Sequence, residues 1–312
     1  MRERDLLENI FARNATLPGR ITIPPGDDMG AVRINGQDVL VTVDQVIDTI
    51  HFNIAHNTMR AIGRKAITRN LSDVAAMAAQ PLGAVAAACL PANFSSADAD
   101  DLVDAMRETG LVYDCPLFGG DVAVGGGRLI ITVTVLAHAN EYPPVLRRGA
   151  QPGDAIYVTG ELGGSYERPE DDAHHMAFEP RLSLAQSLVQ GFEVHAMIDV
   201  SDGLARDVGH ICRASEVHGR LREDLLPLRD DARGRAARLG CPAWQCALAD
   251  GEDYELCFTA PSSTSLPDQL EGVQITRVGE CVPTGGGPTV ILQTTDGDAR
   301  GVDHLGWEHH AQ

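Results

Sequence analysis

The chain has 312 residues, 44% of them apolar, and sets 44 acidic residues against 25 basic ones, for a formal net charge of −19. The length suggests two domains; no run approaches the roughly 18 apolar residues of a membrane helix, and MRERDLLENI lacks the apolar core of a secretory leader, so a cytoplasmic protein with no membrane partner is expected. Lys65 is the sole lysine and is followed by Ala66, which excludes a P-loop, and so acidic a chain is not built to hold a nucleic-acid backbone.

Residues 4–14 read as a short helix, with Leu6, Leu7, Ile10 and Phe11 on one face, and PPGDD at 24–28 is a loop. The β-branched stretch 39–47 predicts a strand with Asp44 inside it. Asn57 stands where an N-cap would start a helix through Met59, Ile62, Ile67 and Leu71 toward Met77. A small-residue strand follows at 83–90. Ser95 and Ser96, then Asp98, open a helix with Leu102, Val103, Met106 and Leu111 as its buried stripe, and 129–136 (LIITVTVL) is a strand. The Pro- and Gly-rich segment 139–154 reads as a linker between domains over 1–138 and 155–312. Beyond it come a strand at 155–159, a polar, mobile stretch at 164–180, helices near 181–190, 204–214 and 229–238, and strands near 255–259, 274–279 and 289–293. This alternation predicts an α/β (or α+β) two-domain fold. The seven cysteines form no CxxC pair and read as free thiols, and His174-His175 as an exposed polar pair.

Several aspartates adjoin Gly, Ser or Thr at the edges of these elements: Gly26-Asp27-Asp28, Thr42-Val43-Asp44, Asn70-Leu71-Ser72-Asp73, Gly119-Gly120-Asp121, Asp199-Val200-Ser201-Asp202-Gly203 and Gly251-Glu252-Asp253. Any one of these is ordinary turn or cap chemistry. Asp44 differs, because an unpaired carboxylate inside an apolar strand is costly. Converging, such loops would bind a nucleotide through Mg²⁺, which prefers carboxylate oxygens shared with phosphates. His51 lies between Ile50 and Phe52, where a core histidine is the commoner outcome, and Arg147-Arg148 offers a phosphate clamp or an exposed pair.

Taken in order, GDD at 26–28, VTVD at 41–44, IHF at 50–52, NLSDVAAM at 70–77, FGGD at 118–121, RRGAQPGDAIYVTGELGGS at 147–165, IDVSDGLARDVGHI at 198–211 and GEDYELCFT at 251–259 resemble the thiamine-monophosphate kinase family over nearly the whole chain. The resemblance implies transfer of a phosphoryl group from ATP to thiamine monophosphate, several Mg²⁺ ions, and no phosphoenzyme. It also implies an N-terminal domain whose mixed sheet pairs with that of a second subunit into a barrel, and a C-terminal α/β domain covering the nucleotide. By the same resemblance Asp27, Asp28, Thr42, Asp44, Asp73, Asp121, Asp199 and Asp202 are metal ligands. Gly120, Asp121, Arg147, Ser201 and Tyr113 contact ATP, and His51, Glu252 and Trp307 line the thiamine phosphate. The chain departs from the family pattern at Val43, at 47–50 and at 122–125, where Val-Ala-Val-Gly replaces the usual Thr-Thr-Arg-Gly. A related superfamily kinase or ligase acting on another phosphorylated substrate, or a non-catalytic nucleotide-binding paralogue, is the alternative.

Overall fold

Two mixed sheets organise the chain, whose computed structural model describes residues 3–308. The first half runs α1 (Glu3–Phe11), β1 (Ile21–Ile23), β2 (Gly30–Ile34), β3 (Gln37–Ile47), α2 (Met59–Ala76), β4 (Gln80–Pro91), α3 (Ser96–Val112), β5 (Leu117–Gly125) and β6 (Ile130–His138). Its strands lie in the order β1-β2-β3-β6-β4-β5, with β4–β5 the parallel pair. The second half runs β7 (Asp154–Thr159), α4 (His174–Ala177), α5 (Leu182–Gly191), β8 (Ala196–Asp199), α6 (Leu204–Ser215), β9 (Val217–Arg222), α7 (Asp230–Leu239), α8 (Ala243–Ala249), β10 (Leu256–Pro261), β11 (Gln269–Leu270), β12 (Val273–Pro283), β13 (Val290–Gln293) and β14 (Ala299–Gly301). Its sheet is ordered β14-β13-β9-β12-β7-β10-β8, with β11 paired to β12. No helix among the described residues is long and apolar enough to cross a membrane.

The helix α2 links the halves. Ile62, Ala66, Ile67, Leu71 and Val74 are buried at helical spacing, and α2 packs on α3, β3 and β6 of its own half and on α4, α5 and β8 of the other. Its N-cap is Thr58 and not the expected Asn57: the Thr58 hydroxyl accepts from Ala61 N at 3.2 Å. Asn57 instead accepts from Asn53 N and donates to Pro169 O, tying this turn to the second half.

The strands of the first sheet alternate as a sheet covered on one face should. Ile131, Val133, Val135 and Ala137 of β6 are buried, while Thr132, Thr134 and Leu136 between them are half-exposed. On the same uncovered face Val43 is 60% exposed and Ala87 is exposed.

Other local expectations also differ from the structure: on α3 Leu102 and Met106 are buried as expected, but Val103 is 39% and Leu111 70% exposed, and Ala105 takes the inward position instead. The first helix ends at Phe11, short of residue 14. FGGD at 118–121 lies in strand β5, where a Cβ on Gly120 would meet Ala86 O at 2.0 Å. The stretch 164–180 contains α4 and is pinned by histidines: His174 Nε2 bonds Asp253 O at 2.7 Å and His175 Nδ1 bonds Ser165 O at 2.6 Å. His175 is only 4% exposed, and burial lowers both imidazoles, to about 3 and about 4, so they are neutral and not the exposed pair expected. The seven cysteines are free, as expected.

Candidate active site

A cleft of about 550 Å³ opens between the two sheets. One wall comes from β3 and α2. Thr42, Asp44 and Val46 project from the covered face of β3 toward α2. Asn70 accepts from Asp44 N at 3.1 Å, which orders the strand beside the helix. On α2, Lys65, Arg69 and Asp73 recur at every fourth residue and so form a row along one helix face. Thr42 Oγ1 donates to Asp73 Oδ2, and Arg69 Nε donates to Asp44 Oδ2 at 2.9 Å.

The opposite wall is built by turns of the second half. Asp199 ends β8 and accepts from Ser72 Oγ at 2.6 Å, joining the two halves at the cleft. Ser201 and Asp202 follow on the turn into α6, and Asp207 Oδ2 accepts from Asp202 N at 3.2 Å. The segment Gly251-Glu252 closes on this turn: Glu252 N donates to Ser201 O at 2.7 Å, and a Cβ on Gly251 would lie 2.6 Å from the same oxygen. Gly251, Glu252 and Tyr254 all have φ between 50° and 70°, strained for the two non-glycine residues. Arg147 reaches across from the segment between β6 and β7, its Nη2 2.7 Å from Asp28 Oδ1.

A narrow annex adjoins the cleft, lined by Ile50, Tyr166, Asp250, Glu252 and Trp307, and by His51, Arg69, Ser201 and Asp202, which line both. His51 Nδ1 accepts from Ile47 N at 3.1 Å; the proton of the neutral ring is therefore on Nε2. Trp307 is 51% exposed at the mouth, and its backbone N–H donates to Asp202 O. Beneath the annex, Glu252 pairs with Lys65, whose Nζ also donates to His51 O at 2.6 Å.

The electrostatics of the two cavities are opposite. In the cleft, Asp28, Asp73 and Asp199 each bring a carboxylate oxygen within 4.8 Å of the others, and Asp28 Oδ2 is buried without a hydrogen-bond partner. Burial, then Asp44, Asp199 and Asp28, push the Asp73 carboxyl well above its usual range; burial, then Asp28, push Asp199 up to about 7. Crowded, desolvated oxygens with an orphaned lone pair suit a hard divalent cation such as Mg²⁺. At the annex, burial opposes ionisation of Glu252, but Lys65, Arg69 and His51 outweigh it and hold the carboxyl at about 2. The same burial lowers Lys65 to about 8 against the pull of Glu252.

Asp28, Thr42, Asp44, Asp73, Arg147, Asp199, Ser201 and Asp202 thus line the cleft, and His51, Glu252 and Trp307 the annex. Asp27 sits behind the cleft, accepting from Arg147 N at 3.1 Å, with its carboxyl raised to about 6 by burial and by Asp28. Gly120 and Asp121 lie on β5, three strands from β3 across the first sheet. Tyr113, the C-cap of α3, donates to Glu179. None of these four lines the cleft or the annex of its own chain. Arg69 and Tyr166 were not expected at the site; counting back one turn from Asp73 finds Arg69, whereas nothing in its local pattern singles out Tyr166.

Residues 26–139 match the family described as AIR synthase related protein, N-terminal domain. The chain is 34% identical over 290 residues to the thiamine-monophosphate kinase of Rhodopirellula baltica, covering 90% of this chain and 89% of that protein. Among solved structures it resembles AaThiL complexed with AMPPCP and TMP, with a TM-score of 0.81 and 26% identity over 99% of both chains. It also resembles the thiamine-monophosphate kinase of Stenotrophomonas maltophilia K279a, with a TM-score of 0.71 and 30% identity over 96% of this chain and 99% of that one.

Proposed function

The chain belongs to the thiamine-monophosphate kinase family, and on that premise we propose that it phosphorylates thiamine monophosphate to thiamine diphosphate with ATP as donor, in the cytoplasm. The observation that carries this reading is the adjacency of an acidic cleft holding Asp28, Asp73 and Asp199 to an annex holding His51, Glu252 and Trp307. The relative solved with AMPPCP and TMP supports it.

Asp28, Asp44, Asp73, Asp199 and Asp202, with Thr42 beside Asp73, would hold Mg²⁺, which when bound neutralises phosphate charge. Arg147, already turned into the cleft by Asp28, meets the nucleotide phosphates, and Ser201 offers a hydroxyl between the two cavities. Trp307 stacks on a flat cationic ring at the annex mouth. Glu252, ionised and fixed, faces the positive thiamine, and His51 donates from Nε2. No general base is needed, because the acceptor phosphate is already ionised and the transfer asks mainly for alignment and charge neutralisation.

The active form is a homodimer in which the first sheet's uncovered face meets that of a second copy as a barrel. Half-exposed Leu136, with Val43 and Ala87, supports this. Gly120, Asp121 and Tyr113 then serve the site of the other subunit, since three strand spacings set β5 about 14 Å from β3 within one chain. We place the domain division within 139–154, because the first sheet ends at His138 and the second begins at Asp154. Incubation with ATP, Mg²⁺ and thiamine monophosphate should yield thiamine diphosphate and ADP in equal amounts; absence of product across a range of Mg²⁺ would overturn the reading.

A further inference from the structure

Arg69 occupies a singular place: among the lysines and arginines of the described residues it alone lines both the nucleotide-sized cleft and the annex. Its side chain is 17% exposed and spans the boundary. Nε donates to Asp44 Oδ2 at 2.9 Å on the cleft side, Nη1 donates to Gln45 O at 3.4 Å, and Nη1 lies 3.7 Å from Glu252 Oε1 on the annex side. One guanidinium therefore touches an acid of each cavity. Helix α2 fixes its base, four residues from Asp73 and four from the buried Lys65.

A phosphoryl group moving from a nucleotide in the cleft to an acceptor in the annex has to cross this boundary. Resting on the kinase reading above, we infer that Arg69 is a catalytic residue that hydrogen-bonds the transferring phosphoryl. In the step, an oxygen of the acceptor phosphate forms a bond to the γ-phosphorus. The bond from that phosphorus to the β–γ bridging oxygen breaks, and its electron pair leaves with ADP; no proton has to move. Negative charge accumulates on the oxygens between the two cavities. A planar guanidinium, always charged and able to bond two oxygens at once, stabilises it there.

Asp44 is the partner that Arg69 exchanges. In this structure Asp44 neutralises the guanidinium; when that carboxylate turns to a cation, the Nε donor is released toward phosphate while Glu252 and Gln45 O keep the plane of the group in place. The salt bridge thus stores the arginine in position before substrates arrive, the preorganisation that makes such donors effective.

The test compares wild type with Arg69→Gln and Arg69→Lys. For Arg69→Gln the inference expects kcat to fall by about 100-fold or more, with KM for ATP within about threefold of wild type. Arg69→Lys, which keeps the charge but not the fork, should recover only part of that loss and serves if the Gln variant does not fold. A second readout does not depend on the acceptor: tightening of ADP binding by Mg²⁺ and aluminium fluoride, a mimic of the transferring group. Wild type should show the tightening and Arg69→Gln should lose it, while plain ADP binding is unchanged. If wild type makes no thiamine diphosphate yet shows the arginine-dependent tightening, the kinase reading fails and the inference about Arg69 stands. Near-normal kcat in both variants, equal loss of plain ADP binding, or wild type without the tightening each overturns it.

Discussion

The Lys65 ammonium and the Glu252 carboxylate form an ion pair between the two halves of the chain, with side chains 0% and 8% exposed. Lys65 also holds the His51 carbonyl, so one cation sets the backbone of one annex residue and the charge of another.

Replacing Lys65 with Met strands the Glu252 charge, and the expected loss is about 3–5 kcal/mol by urea unfolding. The double variant Lys65→Met/Glu252→Gln should lose less than Lys65→Met alone, because the orphaned charge is gone. The pair also has an acid limit. Glu252 is held at about 2 against an ordinary value of 4.5, so its contribution is full above 4.5 and is lost as pH falls toward 2. An additive double variant would show that the pair does not couple.

The cleft carboxylates act in the opposite sense. Asp199 rises from 3.8 to about 7 and Asp27 from 3.8 to about 6, in both cases by burial first and Asp28 second. Between those values the folded chain binds more protons than the unfolded one, so stability in chelator should fall as pH rises from about 4 to about 7. Added Mg²⁺ must displace these protons at low pH, so it should raise the melting temperature more at about pH 8 than at about pH 5. A Mg²⁺ effect independent of pH would contradict the shared cleft.

Asp73→Asn keeps an oxygen for the Thr42 hydroxyl and removes a crowded charge. The melting temperature in chelator should stay level or rise, while the rate of phosphoryl transfer drops about 100-fold or more. Calorimetry should find Mg²⁺-dependent AMPPCP binding weakened. Normal turnover in this variant would remove Asp73 from the metal set.

Trp307→Ala takes a half-exposed ring from the annex mouth. Loss of its stacking should raise KM for thiamine monophosphate by about tenfold, since a desolvated cation–π contact is worth roughly 1–2 kcal/mol, with KM for ATP unchanged. Steady-state kinetics with each substrate varied checks the split.

If Asp121 completes the site of a second copy, Asp44→Asn and Asp121→Asn should each be nearly inactive alone. Mixed in equal amounts and allowed to exchange, half of the dimers are hybrids, each with one intact site of two, so activity should return to about a quarter of wild type. No recovery in hybrids verified by mass spectrometry would place Asp121 elsewhere.

Much of the acidic wall was legible in the residue string. Asp44 announces itself because a carboxylate inside an apolar strand needs a partner, and Asp73, Asp199 and Asp202 sit in short motifs whose order carries the family resemblance. The cations that balance them were not legible: Lys65 and Arg69 look like ordinary helix residues, and their burial depends on Glu252, which is 187 positions from Lys65. The pair Gly119-Gly120 suggests a turn, yet close parallel pairing with β4 needs a residue without a Cβ at Gly120. The polar composition of 164–180 suggests mobility, because nothing local shows that Asp253 O and Ser165 O await the two histidines. Thr58 and Asn57 are both good caps, and the distant partners that decide between them, the Pro169 carbonyl and the Asp171 carboxylate, lie more than 110 positions along the chain.

The burial of Lys65 makes the folded chain silent to amine-directed chemistry at every side chain, since it is the sole lysine and is 0% exposed. Acylating reagents can modify an ε-amine only when the Lys65–Glu252 junction opens. The rate of modification at Lys65, followed by peptide mass mapping because the α-amine reacts as well, therefore reports the local opening of the seam between the two sheets, and bound substrates should slow it if they close the cleft and annex around Arg69.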